Sequence, residues 1–184
     1  MTYEIDIAGL KRQLPLCKVS DDLLIGAFVL FGDVEVTVHA AAELLKRAPE
    51  YDYIIAPEAK SIPLLYEMAR QSGAEHYFLA RKGPKAYMSG VFEVEVKSIT
   101  TASVQRLVID TADAEMIRGK RMLIIDDVIS TGESLRAMEE LVKRAGGIIA
   151  GKMAVLAEGA ARERDDIIYL APLPLFHADG TVKE

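Results

Sequence analysis

The chain is short of several things, and each shortage excludes a class of protein. It has one cysteine, Cys17, so no internal disulfide can form. Such a chain suits a reducing compartment, with Cys17 read as a small, part-buried hydrophobe. No apolar run approaches the roughly 20 residues that a membrane-spanning helix needs. The opening residues, MTYEIDIAGLKRQ, lack the basic start and apolar stretch of a secretory leader, which predicts a cytoplasmic protein. Positive charge is not in excess: 22 Lys and Arg stand against 28 Asp and Glu, a net charge of −6. That balance argues against a general nucleic-acid binder. His39, His76 and His177 are scattered and show no metal-ligand spacing. Repeats, low-complexity tracts and linkers are missing too. What remains is a chain of 184 residues with 51% hydrophobic content, which predicts one folded domain with a full core.

The periodicity predicts strands alternating with helices. A short helix is expected around residues 6–13, ended by Pro15, and an extended segment over 23–31. Helical spacing of Val38, Ala41, Ala42, Leu44 and Leu45 predicts a helix over 36–48, stopped by Pro49. YIIA at 53–56 reads as a buried strand, followed by a helix over 62–71 with Gly73 as its C-terminal stop. A strand over 76–80 runs into the basic turn 81–85. VFEVEV at 91–96 and VQRLVID at 104–110 read as a hairpin whose tip, KSITTAS at 97–103, is small, polar and expected to be mobile. Further strands are expected at 122–125 and 153–157, with a helix between them from 134 to about 145. The segment GGIIAGK at 146–152 fits the spacing of a P-loop. Met153 stands where the magnesium-binding hydroxyl belongs, and the segment runs from helix to strand, so it reads as a helix-terminal turn. The fold class predicted is α/β, a parallel sheet flanked by helices, with ligands bound beyond the carboxyl ends of the strands.

The stretch that organises the rest is MLIIDDVISTGES, residues 122–134. An apolar strand meets two adjacent carboxylates, Asp126 and Asp127, and then a small polar turn at the start of a helix. Adjacent carboxylates repel each other and call for hydroxyl donors or a cation. A helix N-terminus offers N–H donors and a positive dipole end to a phosphate. The pair and the turn together suit a sugar phosphate.

IDD followed by two apolar residues and STG resembles the phosphoribosyl-diphosphate (PRPP) signature of the type I phosphoribosyltransferases. The loop YIIAPEAKSIP, the turn RKGPK, the hairpin and the C-terminal APLPLF make the chain most similar to adenine phosphoribosyltransferases and related purine enzymes. The resemblance covers roughly residues 25–177. It implies a phosphoribosyltransferase-like core at about 33–157, with a hood from 1–32 and 158–184. It implies that Asp126 and Asp127 hold the ribose hydroxyls as the catalytic pair. Ser130, Thr131, Gly132, Glu133 and Ser134 would cradle the 5′-phosphate, with the Glu133 side chain turned to solvent. Glu58, Ala59, Lys60 and Ser61 would take the diphosphate, with Arg81, Lys82 and Lys85 as a second cationic group. Phe31 and Val128 would touch the base. Magnesium would enter with PRPP, with Asp126 and Asp127 as candidate ligands, and a homodimer is expected.

The resemblance also separates branches. Ser130 stands where hypoxanthine-guanine enzymes of mammalian type carry an aspartate, which sides this chain with the adenine enzymes. Gly32 replaces an arginine near the base, and the hairpin lacks the glutamate that adenine enzymes supply there. The reading is a purine phosphoribosyltransferase of salvage with adenine as the first choice of base. The alternatives are a 6-oxopurine enzyme and a non-catalytic PRPP-binding regulator.

Overall fold

The run Met122–Ile125 is apolar at every position because both of its faces are covered. Leu123 and Ile125 face one layer and Met122 and Ile124 the other, all at 1% exposure or less. A strand buried on two sides is the mark of a parallel sheet. The computed structural model describes residues 1–97 and 104–183, the side chain of Lys97 apart.

Along the chain, β1 (Thr2–Ile7), β2 (Leu10–Ser20) and β3 (Leu23–Gly26) come first, followed by α1 (Val34–Arg47), β4 (Tyr53–Pro57), α2 (Ile62–Ser72) and β5 (Phe78–Ala80). The hairpin β6 (Val91–Lys97) and β7 (Val104–Asp110) precedes α3 (Thr111–Ile117), β8 (Arg121–Ile129), α4 (Glu133–Arg144) and β9 (Ile148–Glu158). A 3₁₀ turn at Gly159–Glu163 leads to β10 (Ile168–Leu173), β11 (Leu175–Phe176) and β12 (Val182–Lys183).

Five strands form the parallel sheet, in the order β10-β9-β8-β4-β5. On one face α1 and α2 bury Val36, Ala40, Leu44, Leu64, Leu65 and Met68. On the other, α3, α4 and the base of the β6–β7 hairpin bury Ile117, Leu135, Met138, Leu141, Val94 and Ile109. The two ends of the chain meet in a separate antiparallel sheet, β1-β2-β3-β11-β12. Ile5, Ile7 and Leu14 of that sheet join the core under α1, and Arg12 ties it to the start of α1. Its guanidinium donates to both oxygens of Asp33, at 2.7 and 3.1 Å, while Asp33 accepts from the Val36 amide.

Most predicted elements are found within a few residues of their expected ends, with Gly73 in the left-handed conformation that closes α2. The N-terminus differs. No helix forms at 6–13; the segment is a hairpin with Ile7 opposite Leu10, turned by Ala8 and Gly9 at φ of 55° and 83°. Two successive positive-φ residues make the turn that matches strand twist. Ile5 and Ile7 alternate with exposed Glu4 and Asp6, a period of two, and Pro15 sits within β2 rather than ending a helix. Cys17 lies on exposed β2, not part-buried. The helix α3 went unpredicted; its seven residues are too few for a periodic signal, and Asp110 caps it by accepting from the Ala112 amide. The strand β8 runs on through Asp126 and Asp127 to Ile129 instead of stopping before them. The expected mobile tip at 97–103 lies outside the described residues but for the end of β6. No helix of the described residues is long and apolar enough to cross a membrane.

Gly147 shows how closely the elements pack. A Cβ there would stand 2.7 Å from Ile117 Cγ2 and 2.9 Å from Val142 Cγ1, on branched side chains with little freedom to yield. Gly147→Ala is therefore expected to destabilise the fold by about 1–3 kcal/mol, measured by denaturant unfolding.

Candidate functional site

Because every strand of the central sheet points the same way, β4, β5, β8, β9 and β10 deliver their last residues to one edge. Pro57, Ala80, Ile129, Glu158 and Leu173 mark that edge. A cavity of about 590 Å³ opens there, within the range of small-molecule sites. Its walls gather residues far apart in sequence: Glu58, Ala59, Lys60 and Ser61 after β4; Lys82 after β5; Asp126, Asp127, Val128, Ser130 and Ser134 from β8 and the start of α4.

The carboxylate pair is buried, with Asp126 8% and Asp127 4% exposed. Ser61 holds it. As the residue before α2, Ser61 is placed to cap that helix, yet its side chain makes no cap bond. Its hydroxyl instead donates to Asp126 Oδ1 at 2.6 Å and accepts from the Asp127 amide at 3.2 Å. The Asp127 amide also reaches Asp126 Oδ1, at 2.9 Å. Lys60 Nζ lies 3.8 Å from Asp127 Oδ2, an oxygen that is buried and has no hydrogen-bond partner among the described residues. Burial first, and the neighbouring Asp127 charge second, push the Asp126 carboxyl up to about 7, against the pull of the Ser61 hydroxyl.

The turn after β8 is built to face an anion. Gly132 precedes α4 at φ 79° and brings no capping side chain to the 12-residue helix behind it; only Thr131 Oγ1 reaches the Glu133 amide, at 3.5 Å. Thr131 and Gly132, with Asp126, Ser130 and Ser134, line a recess of about 40 Å³ beside the main cavity. Glu133 stands at the first helical position and lines neither space. On the opposite side, Glu58 organises the basic turn. It accepts from the Lys82 amide at 2.7 Å and pairs with Arg81 at 3.3 Å and with Lys85 at 4.0 Å. Arg81 and Lys85 thus sit behind the wall, on Glu58, while Lys82 lines it.

Phe31 is not in the cavity; it is 54% exposed and points away. Phe28 takes the wall, together with Ile25, Gly26, Ala27 and Val29 from β3 and the strand-like segment after it. Phe28 and Leu30 are buried while Ala27 is half-buried and Val29 exposed, but AFVLF at 27–31 is apolar throughout, so no period in the sequence marks the wall-facing phenylalanine. Gln105, Leu107, Glu158 and Leu173 complete the lining and were also missed. None carries a motif; the topology alone brings them in.

Carboxylates, an N-terminal helix turn and cations on the facing loop place the chain in the parallel α/β class with a polar cleft whose chemistry suits a phosphosugar. Residues 35–178 match the family model for the phosphoribosyl transferase domain, and the chain belongs to the phosphoribosyltransferase family. Among similar proteins, the adenine phosphoribosyltransferase of Rubrobacter xylanophilus is 35% identical over 121 residues, 62% of this chain and 60% of the relative. That of Petrotoga mobilis is 29% identical over 115 residues, 62% of each chain. The matched segment thus spans about three fifths of the length of these curated relatives. The fold is shared with the crystal structure of adenine phosphoribosyltransferase from Thermoanaerobacter pseudethanolicus, at TM-score 0.63 and 24% identity, covering 78% of this chain and 84% of that one. It is likewise shared with the Saccharomyces cerevisiae enzyme, at TM-score 0.64 and 20% identity, covering 86% and 92%.

The raised Asp126 carboxyl has a consequence for stability. Its folded value lies above its ordinary 3.8, so between those values the native state holds a proton that the unfolded chain has released. Stability from this group is therefore full below the unfolded value and is lost as pH rises through the folded one. Asp126→Asn keeps an acceptor for Ser61 and the Asp127 amide while removing the charge. The ligand-free variant is expected to melt higher than the parent at about pH 8, by roughly 2–4 °C per kcal/mol relieved, and to gain clearly less at about pH 5. Thermal melts at the two pH values check this.

Proposed function

We propose that the chain transfers the 5-phosphoribosyl group of PRPP to a purine base, with adenine as the first choice. The products are a nucleoside 5′-monophosphate and diphosphate, in purine salvage. One observation carries the reading: the buried carboxylate pair, the start of α4 and Lys60 with Lys82 all face a single cavity. The similarity to adenine phosphoribosyltransferases supports the choice of base.

In this reading Asp126 and Asp127 accept from the ribose 2′- and 3′-hydroxyls, which fixes the sugar over the sheet edge. The Ser130–Ser134 turn binds the 5′-phosphate with backbone amides and hydroxyls. Lys60, Lys82 and the amides of 58–61 receive the diphosphate. The bond from C1′ to the diphosphate breaks with its electron pair leaving on oxygen, a purine ring nitrogen takes its place on C1′, and the ring proton that the purine loses is taken up by the departing diphosphate. Positive charge builds on the ribose as this happens, and water must be kept from it. The antiparallel sheet of residues 2–26 and 175–183 serves as the hood over the base, and the β6–β7 hairpin closes the other side.

Magnesium fits this site as a shared ion. Asp127 Oδ2 is a buried oxygen without a donor, and carboxylate oxygens suit a hard cation. Asp127, with Asp126 beside it, would hold the ion together with oxygens of the substrate. When bound, it neutralises charge on the departing diphosphate. A cytoplasmic setting and a homodimer belong to the same reading; the single cysteine supports the first and the family resemblance the second.

The test is diphosphate release from PRPP and magnesium with adenine, hypoxanthine, guanine and xanthine in turn. Release with adenine is expected; PRPP binding without release on any base would overturn the assignment. Asp127→Asn is expected to lower kcat/KM by about 100-fold and to weaken PRPP binding in parallel. Undiminished turnover in that variant would sink the role given to the pair.

A further inference from the structure

The cavity divides by chemistry. Its phosphate ends use Lys60, Lys82 and the α4 start, and its centre uses the carboxylate pair. The remaining wall is apolar (Ile25, Phe28, Val29, Leu107, Val128 and Leu173) but for the Gln105 carboxamide from the hairpin and one charged side chain, Glu158. Glu158 is the last residue of β9 and pairs with Leu173 of β10. The neighbouring glycine fits against Leu175 of β11, so the residue stands where the parallel sheet meets the antiparallel one. Its carboxylate makes no hydrogen bond or ion pair with any described residue, and Lys60 is close enough to act on it only through space. Its half-buried position raises its proton affinity. A carboxylate in an otherwise apolar slot, without a protein donor, is matched by a ligand that brings the donor.

Resting on the phosphoribosyltransferase reading, we infer that Glu158 is a specificity-determining residue that accepts a hydrogen bond from the exocyclic amino group of the purine. An amino group at the purine 6-position supplies the N–H that the slot lacks. A carbonyl oxygen in the same place presents a second acceptor to the carboxylate and is turned away. The apolar walls accept the faces of any purine and do not choose among them, so the choice falls to the polar groups, and Glu158 is the one that only accepts while ionised.

The experiment compares kcat/KM for adenine and hypoxanthine, and KM for PRPP, in the parent enzyme, E158Q and E158L. The parent is expected to prefer adenine. E158L removes the acceptor and is expected to lose about 10- to 100-fold in kcat/KM for adenine, the range of a hydrogen bond to a charged group. E158Q, which can accept or donate, is expected to bring the adenine-to-hypoxanthine ratio toward unity. In both, KM for PRPP is expected to stay within about two-fold of the parent, since the phosphates and ribose are held elsewhere. Unchanged adenine kinetics in both variants would overturn the inference, as would a parallel rise in KM for PRPP with every base. A parent that prefers hypoxanthine overturns it without any variant, and leaves the transfer reaction standing. A parent that binds PRPP and transfers no base overturns the transfer reading first and this inference with it.

Discussion

Two adjacent carboxylates buried at the end of a central strand are the constraint around which this fold is arranged. Asp126 and Asp127 cost free energy where they stand, since burial and mutual repulsion both disfavour charge. The protein tolerates them because Ser61 reaches across from the neighbouring strand–helix junction and binds both, through the side chain of one and the amide of the other. That contact fixes β8 against the loop after β4. It brings the turn that starts α4 and the turn that starts α2 to opposite sides of one cleft. Neither Ser61 nor the start of α4 is used as local helix propensity would use it. The serine gives up its cap, and α4 begins on a left-handed glycine with no side-chain cap. Local stability is forgone at both points to keep donors directed at the cleft.

Glu58 plays the matching part on the cationic side. The family resemblance gives it to the diphosphate, but its carboxylate is turned toward the protein's own cations. It holds the Lys82 amide, Arg81 and Lys85. Arg81 is further fixed by backbone pairing with Val108 of the hairpin and by packing over Tyr87 at 5.9 Å. A negative group beneath a cluster of like charges reduces their repulsion before any anion arrives. It also sets which cation faces the cavity, namely Lys82, and which form its support.

The parallel sheet was legible because a buried strand, a polar turn and an amphipathic helix recur with distinct periods, and the phosphate-facing turns follow the strands directly. Ser61, Lys60, Lys82 and the 126–134 stretch could be named for that reason. The N-terminal hairpin was misread because Ala8-Gly9 is an uncommon pair for its turn, and five apolar positions over twelve residues satisfy a loose helical template as well as an alternating one. The base-facing wall was illegible for a different reason. Phe28, Glu158 and Leu173 come from three segments joined only by the topology, and no spacing in the chain relates them. Phe31 was given to the base by the family resemblance alone. The positive φ of Gly32, at 87°, turns that segment toward α1, where Asp33 serves as cap and as partner of Arg12.

The position of Asp33 has a further implication for how the cleft works. Arg12 belongs to the antiparallel sheet, and Asp33 and Glu35 to the start of α1, so their bonds at 2.7–3.1 Å fasten the sheet to the core at a point away from the cavity lining. The apolar wall Ile25–Val29 runs from the end of β3 toward that fastening. Core packing of Ile5, Ile7, Leu14 and Phe28 holds the same sheet from beneath. A wall held at both ends and packed from behind is fixed in place before a ligand arrives. Discrimination among flat aromatic ligands then rests on the few polar groups in the wall rather than on its rearrangement. The strand–helix loops of the cleft have the reverse character: small residues, a left-handed glycine and exposed lysines, which suit groups of high charge and little shape. The division of one cleft into a shaped apolar half and a charged, adaptable half follows from which elements build each. Two sheets enclose the first, and strand–helix turns supply the second.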